Sequence, residues 1–143
     1  MDIFAYLKDD WARIMERLTD TVDNFADWPH ERVFEETKRD LEALRQHFEK
    51  EVLIEQNLRN TTGVEGDLQK VTSLRKEIAN DINNLVMIHI DEPGFEDGLE
   101  EITKKAKELR DFCESTFYPR VNEKMSESEL RHLNQQVSEI VMS

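Results

Sequence analysis

A histidine and a glutamate four residues apart, His47 and Glu51, interrupt an apolar stripe in residues 41–58, LEALRQHFEKEVLIEQNL. Leu41, Leu44, Phe48, Ile54 and Leu58 recur at three- and four-residue steps, which places them on one face of an α-helix. His47 and Glu51 share that face. One helical turn apart, an imidazole and a carboxylate converge on one point, as two ligands of a single metal ion must. The same geometry also serves a histidine at the edge of a bundle that is hydrogen-bonded or salt-bridged to a neighbouring carboxylate. Asp81 poses a related question, because it interrupts a stripe made by Leu68, Val71, Leu74, Ile78, Leu85 and Ile88. A buried, unpaired carboxylate is strongly destabilising, so Asp81 needs a partner, a proton or water.

The elements that position these groups are helices throughout. Phe4, Leu7, Trp11, Ile14, Leu18, Val22 and Phe25 predict a first helix from Ile3 to about Phe25, with Trp11 on its core face. Asp27-Trp28-Pro29 breaks the chain, and a second helix runs from near His30 to Arg59. Asn60 opens a loop containing Gly63 and Gly66, after which the third helix carries the Leu68 to Ile88 stripe. Pro93 starts a fourth helix through Phe95, Leu99, Ile102, Ala106, Leu109, Cys113 and Phe117, ending near Pro119 or a little beyond. Ser126 and Glu129 have the spacing of a capping box that opens a short fifth helix through Leu130, Leu133, Val137 and Ile140. Short connections between amphipathic helices predict an all-α protein, an up-down-up-down antiparallel four-helix bundle with a short C-terminal fifth helix, forming one domain over residues 1–143.

Thirty-two acidic residues against nineteen basic ones give a net charge of −13, a field that repels phosphate backbones and anionic lipid. Nucleic acid and membrane are therefore not expected partners, whereas the same field raises the local concentration of cations. Cys113 is the single cysteine, so no internal disulfide is possible, and a cytoplasmic setting is expected. The N-terminal MDIFAYLKDDW has neither the basic nor the apolar region of a signal peptide, and no apolar run is long enough to span a bilayer. No nucleophile triad, phosphate loop or nucleotide fingerprint is present, and no enzymatic activity is expected. His30 lies in a turn, His89 at a helix end and His132 on a polar helix, and none of them needs a site to explain it.

Three segments resemble the hemerythrin-like proteins, the family with an HHE cation-binding domain, and the resemblance extends over essentially the whole chain. Leu7-Lys-Asp-Asp10-Trp11-Ala-Arg-Ile14 is similar to the family's opening L-x-x-D-H-x-x-I. Leu44-Arg-Gln-His47-Phe-Glu-Lys-Glu51 is similar to its L-x-x-H-x-x-x-E, and Phe117-Tyr118-Pro119 to the L-F-P that closes its fourth helix. The resemblance implies a bundle that holds two iron atoms with histidines and carboxylates, in proteins that bind or sense oxygen, nitric oxide or iron.

Carried over residue by residue, that ligand set is mostly missing. Trp11 stands at the first-helix histidine, and an indole has no lone pair for a metal. Leu109 and Cys113 stand at the fourth-helix histidine and carboxylate, and on the third helix the family's ligand falls near Glu77, Asn80 or Asp81, with spacing favouring Asp81. His47, Glu51 and Asp81 remain as metal candidates: they either hold one weakly bound divalent ion, iron by family expectation, or form a hydrogen-bonded polar cluster without metal. The expected function is that of a binding or interaction protein with a degenerate di-iron site and an unknown protein partner. The alternative is a working non-haem iron protein that binds or senses oxygen, nitric oxide or iron.

Overall fold

The three-four apolar spacing at the N-terminus becomes helix α1 (Ile3–Asp23) in the computed structural model, which describes residues 2–59 and 61–142. Asp2 caps α1: its carboxylate accepts the Phe4 amide at 3.0 Å, satisfying one of the donors that a helix start leaves open. Helix α2 (His30–Gln56) follows Pro29. It ends three residues before the expected Arg59 because the Asn57 side chain donates to the Leu53 carbonyl at 2.7 Å and takes over the helix's last turn. Asn60, where the predicted loop begins, lies outside the described residues. Gly63 adopts a φ of +89°, the conformation that lets the chain turn towards helix α3 (Glu65–Leu85).

Helix α4 (Pro93–Phe112) has its proline in the first turn, where no amide is required. As expected, the helical run ends a little beyond Pro119, at Lys124, but it is not one regular α-helix. A π-helical turn (Cys113–Phe117) leads straight into helix α5 (Tyr118–Lys124), and the Tyr118 amide reaches back five residues to the Cys113 carbonyl. Pro119 accounts for the widening, since it has no N–H and its ring would clash with the carbonyl of residue 115 in a regular α-helix. The capping box forms as predicted: Ser126 Oγ accepts the Glu129 amide at 3.1 Å and Glu129 accepts the Ser126 amide at 3.0 Å. Helix α6 (Glu127–Met142) follows it and carries the expected Leu130, Leu133, Val137 and Ile140.

Helix is the only regular secondary structure among the described residues, and none of the helices there is long and apolar enough to cross a membrane. Helix α1 packs on α2 and α4, α3 on α4, and α6 on α1 and α2. The α3–α4 contact is close at Gly98, where an added Cβ would stand 2.9 Å from Leu85 Cδ1. The core face of α1 is Ile3, Leu7, Trp11, Ile14, Leu18 and Thr21, and Trp11 is fully buried.

The core face of α2 differs from the predicted one. Val33, Thr37, Asp40, Leu44, His47, Glu51 and Ile54 are buried, a strict alternation of four- and three-residue steps with four polar members. Leu41 and Phe48, expected in the core, are half-buried on the flank of α2. The overlapping seam that contains Asp40 and Thr37 wins because it brings His47 and Glu51 to the middle of the interface, where groups from other helices meet them.

Candidate functional site

His47 has no exposed surface, and both ring nitrogens face carboxylates. Nδ1 lies 2.8 Å from Asp10 Oδ2 on α1 and Nε2 lies 2.7 Å from Glu51 Oε1 one turn along α2. Since a carboxylate only accepts, each nitrogen donates its hydrogen and the ring is an imidazolium. Burial alone would pull its pKa down. The hydrogen bonds to Asp10 and Glu51, together with their charges, outweigh that and hold it above the ordinary histidine value. Asp10 shows the reverse balance: burial raises its pKa, but the bond to His47 and the charges of His47 and Lys50 bring it below the usual carboxylate range.

Glu51 is equally buried, and a hydroxyl and a guanidinium attend it. The Tyr118 hydroxyl donates to Glu51 Oε1 at 3.2 Å and accepts the Trp11 indole N–H at 3.0 Å, so one relay crosses from α1 through α5 to α2. Arg75 on α3 places Nη1 3.7 Å from Glu51 Oε2 and also bonds Glu55, while Lys50 Nζ lies 3.8 Å from Asp10. His47, Lys50 and Arg75 thus balance Asp10, Glu51 and Glu55, as a buried ionic cluster requires. Trp11 closes the face of the imidazole, with ring centroids 4.2 Å apart.

The π-helical turn is what lets Cys113 and Tyr118, five residues apart, both point inward. Cys113 Sγ lies 4.0 Å from Glu51 Oε2, at the edge of the cluster. Burial, reinforced by the Glu51 charge, pushes the thiol pKa well above its ordinary value, so the sulfur carries a proton instead of the negative charge a metal ligand needs. Burial and the Glu51 charge likewise raise Tyr118.

Of the three sequence-predicted site residues, the structure brings His47 and Glu51 together and leaves Asp81 apart. Asp81 is 24% exposed on the flank of α3 that faces α4, where Lys105 Nζ meets its carboxylate at 2.8 Å. That correction follows from helix rotation: the position of α3 that reaches Glu51 is occupied by Arg75, between Val71 and Ile78, and Asp81 lies six residues further along, on a different side of the helix. Asp10, Tyr118 and Arg75 escaped the sequence reading. Asp10 and Tyr118 were nevertheless inside the quoted L-x-x-D and Phe-Tyr-Pro segments, and the four-three steps from Val71 through Arg75 to Ile78 marked a cation on a core seam.

The chain matches no family model, no curated protein and no solved structure.

These residues do not fit a di-iron centre. Both nitrogens of His47 already meet carboxylate oxygens at hydrogen-bond distance, the indole covers its face, and a fixed cation, Arg75, attends Glu51. No group of three or more His, Cys, Asp or Glu side chains among the described residues is arranged to hold a metal ion. The arrangement can share a proton among His47, Asp10 and Glu51, and it can fix the relative rotation of α1, α2, α3 and α5. Because His47 and Glu51 have no exposed surface, a substrate would have to open the core to reach them.

Proposed function

We propose that the chain is a hemerythrin-like, up-down-up-down antiparallel four-helix bundle with a C-terminal fifth helix, in which a hydrogen-bonded polar core has replaced the di-iron site. In this reading it is a cytoplasmic binding or interaction protein without enzymatic activity, keeping at most one weak metal position at His47 and Glu51. The observation that carries it is the clamping of both His47 nitrogens by Asp10 and Glu51 beneath the Trp11 indole. A charge-balanced cluster of this kind is complete without a metal and fixes helix register, a role for which buried polar groups are well suited.

The test is elemental analysis and a visible spectrum of protein expressed with iron supplied, paired with thermal melts in chelator and in excess iron(II) or zinc. Colourless protein with no metal-dependent shift in melting temperature is expected. Two irons per chain with a ligand-to-metal charge-transfer band would overturn the reading in favour of a working iron protein. A metal-dependent rise that disappears in His47→Leu would locate a mononuclear site, because binding to the folded state alone raises its stability.

A further inference from the structure

Leu41 and Phe48, displaced from the core, lie along the flank of α2 that faces α3, and Ala79 and Ile82 of α3, with Val86 just past its end, lie opposite them. Between them runs an open groove of about 540 Å³, within the roughly 300–1,000 Å³ of small-molecule sites. A second cavity of about 190 Å³ shares Lys38, Leu41 and Val86 with the groove and extends it to Phe34 and Thr37. From Phe34 to Phe48 the α2 wall covers about 21 Å, at roughly 1.5 Å rise per residue. Val86 is 69% exposed and Phe34 45%, so this apolar surface is open to solvent.

Charge selects the occupant. Glu42 and Arg45 both line the groove, but they neutralise one another through a 2.9 Å hydrogen bond, and Arg45 also bonds Glu49. Lys38, between the two cavities, is paired with no carboxylate among the described residues, and its ammonium rests 5.4 Å from the centre of the Phe34 ring. In a chain of net charge −13 this apolar surface therefore carries one uncompensated positive charge. Beside Lys38, Thr37 lines the smaller cavity, and its hydroxyl, buried behind that wall, has no hydrogen-bond partner. A buried hydroxyl without a partner is destabilising, and a ligand oxygen there would relieve it.

We propose that the groove between α2 and α3 binds one long-chain carboxylate, with the alkyl chain along Leu41, Phe48, Ile82 and Val86 and the carboxylate at Lys38 and Thr37. One cation and one hydroxyl match a monoanion. A phosphate dianion would meet twice the repulsion from the acidic surface without a free guanidinium to grip it. A second copy of the chain would bring another −13 to an interface that needs roughly 800 Å² from each partner. The proposal deepens the reading of the chain as a binding protein, and it can fail without touching the metal-free interior, which the iron analysis tests separately.

The test is calorimetric titration and native mass spectrometry of the full chain with decanoate below its aggregation concentration, using decylamine and decanol as probes with the same tail. Saturable one-to-one binding of decanoate is expected, with decylamine at least tenfold weaker. Lys38→Met should weaken decanoate about tenfold and leave decanol unchanged. Ala79→Trp and, independently, Asn83→Trp fill the groove from exposed positions and should abolish binding of both, with helicity checked by circular dichroism. The proposal is overturned if decanoate does not saturate, if decylamine binds equally well, or if Lys38→Met or both tryptophan variants leave decanoate binding unchanged. Self-association of the wild type that either tryptophan variant removes would instead assign the groove to a second copy. Capture of an amphipathic peptide with no decanoate binding would assign it to a partner helix.

Discussion

Helix α2 carries two buried polar layers two turns apart, and they are built on opposite terms. In the layer of His47 and Glu51, every charge meets its opposite: Asp10 and Glu51 clamp the imidazolium, Arg75 stands by Glu51, and Tyr118 donates to it. In the layer of Thr37 and Asp40, the fully buried Asp40 accepts a single hydrogen bond, from the Thr21 hydroxyl at 2.7 Å, and its Oδ1 and the Thr37 hydroxyl have no partner. Burial raises the Asp40 pKa to about 6, against which the Thr21 bond is too weak. The first layer keeps its charges by neutralising them. The second keeps an unrelieved charge at pH 7 and loses it by taking up a proton only as pH falls through about 6. What separates them is how closely the neighbouring helices bring cations: α1 gives Asp40 the Thr21 hydroxyl and the charge of Arg17, which Asp20 and Glu36 oppose, while α3 brings the Arg75 guanidinium to 3.7 Å from Glu51.

The largest effect on this comparison should come from Trp11→Ala, which removes the fully buried lid of the charged layer together with the donor to Tyr118. A loss of about 3–5 kcal/mol in denaturant unfolding is expected, the range for emptying a large aromatic site. A loss below about 1 kcal/mol would mean that the layer holds together without its lid.

His47→Leu should follow, at about 3 kcal/mol at pH 7, because it leaves Glu51 buried without its nearest cation. Adding Glu51→Leu should recover much of that loss, as an apolar pair in place of a buried ionic one is often neutral. If the double variant is no better than the single one, the two residues are not energetically coupled and the contrast between the layers collapses.

Asp40→Asn acts in the other direction. At pH 7 it should stabilise the fold by about 1–2 kcal/mol, because it removes a carboxylate that is charged at an unfavourable position. The sign follows from the raised pKa: protonation of Asp40 contributes stability that is complete below the unfolded value of 3.8 and is lost as pH rises through about 6. The gain from Asp40→Asn should therefore vanish near pH 4. An equal gain at both pH values would show that a lost strain, and not the charge, is responsible.

The smallest effect is a slope at higher pH. His47, raised above its ordinary 6.5, contributes stability that is complete below that value and is lost as pH rises through the folded pKa. Unfolding free energy measured from pH 6 upward should decline in the wild type and stay flatter in the His47→Leu, Glu51→Leu double variant. Identical slopes would assign the decline to other groups.

Much of the helical order was legible before any coordinates, because its causes are local. Three-four periodicity placed α1 and α4, the Ser126 and Glu129 pair announced α6, and the four-residue spacing of His47 and Glu51 requires them to meet on any regular helix. Trp11 belonged inside for the same reason, as a member of an otherwise apolar stripe. The rotation of each helix about its axis is not local. On α2 two seams overlap, one with Leu41 and Phe48 and the other with Thr37 and Asp40, and hydropathy favours the first. Only the packing of α1, α3 and the π-turned segment around His47 makes the polar seam the buried one, because those elements bring the Asp10 carboxylate, the Arg75 guanidinium and the Tyr118 hydroxyl that a buried imidazolium and carboxylate require. The same rotation sent Asp81 to Lys105 and left Leu41 and Phe48 facing a groove. A residue's partner across a helix interface depends on groups distant in the chain, so single-residue spacing determines which side chains share a face, and tertiary packing decides what that face meets.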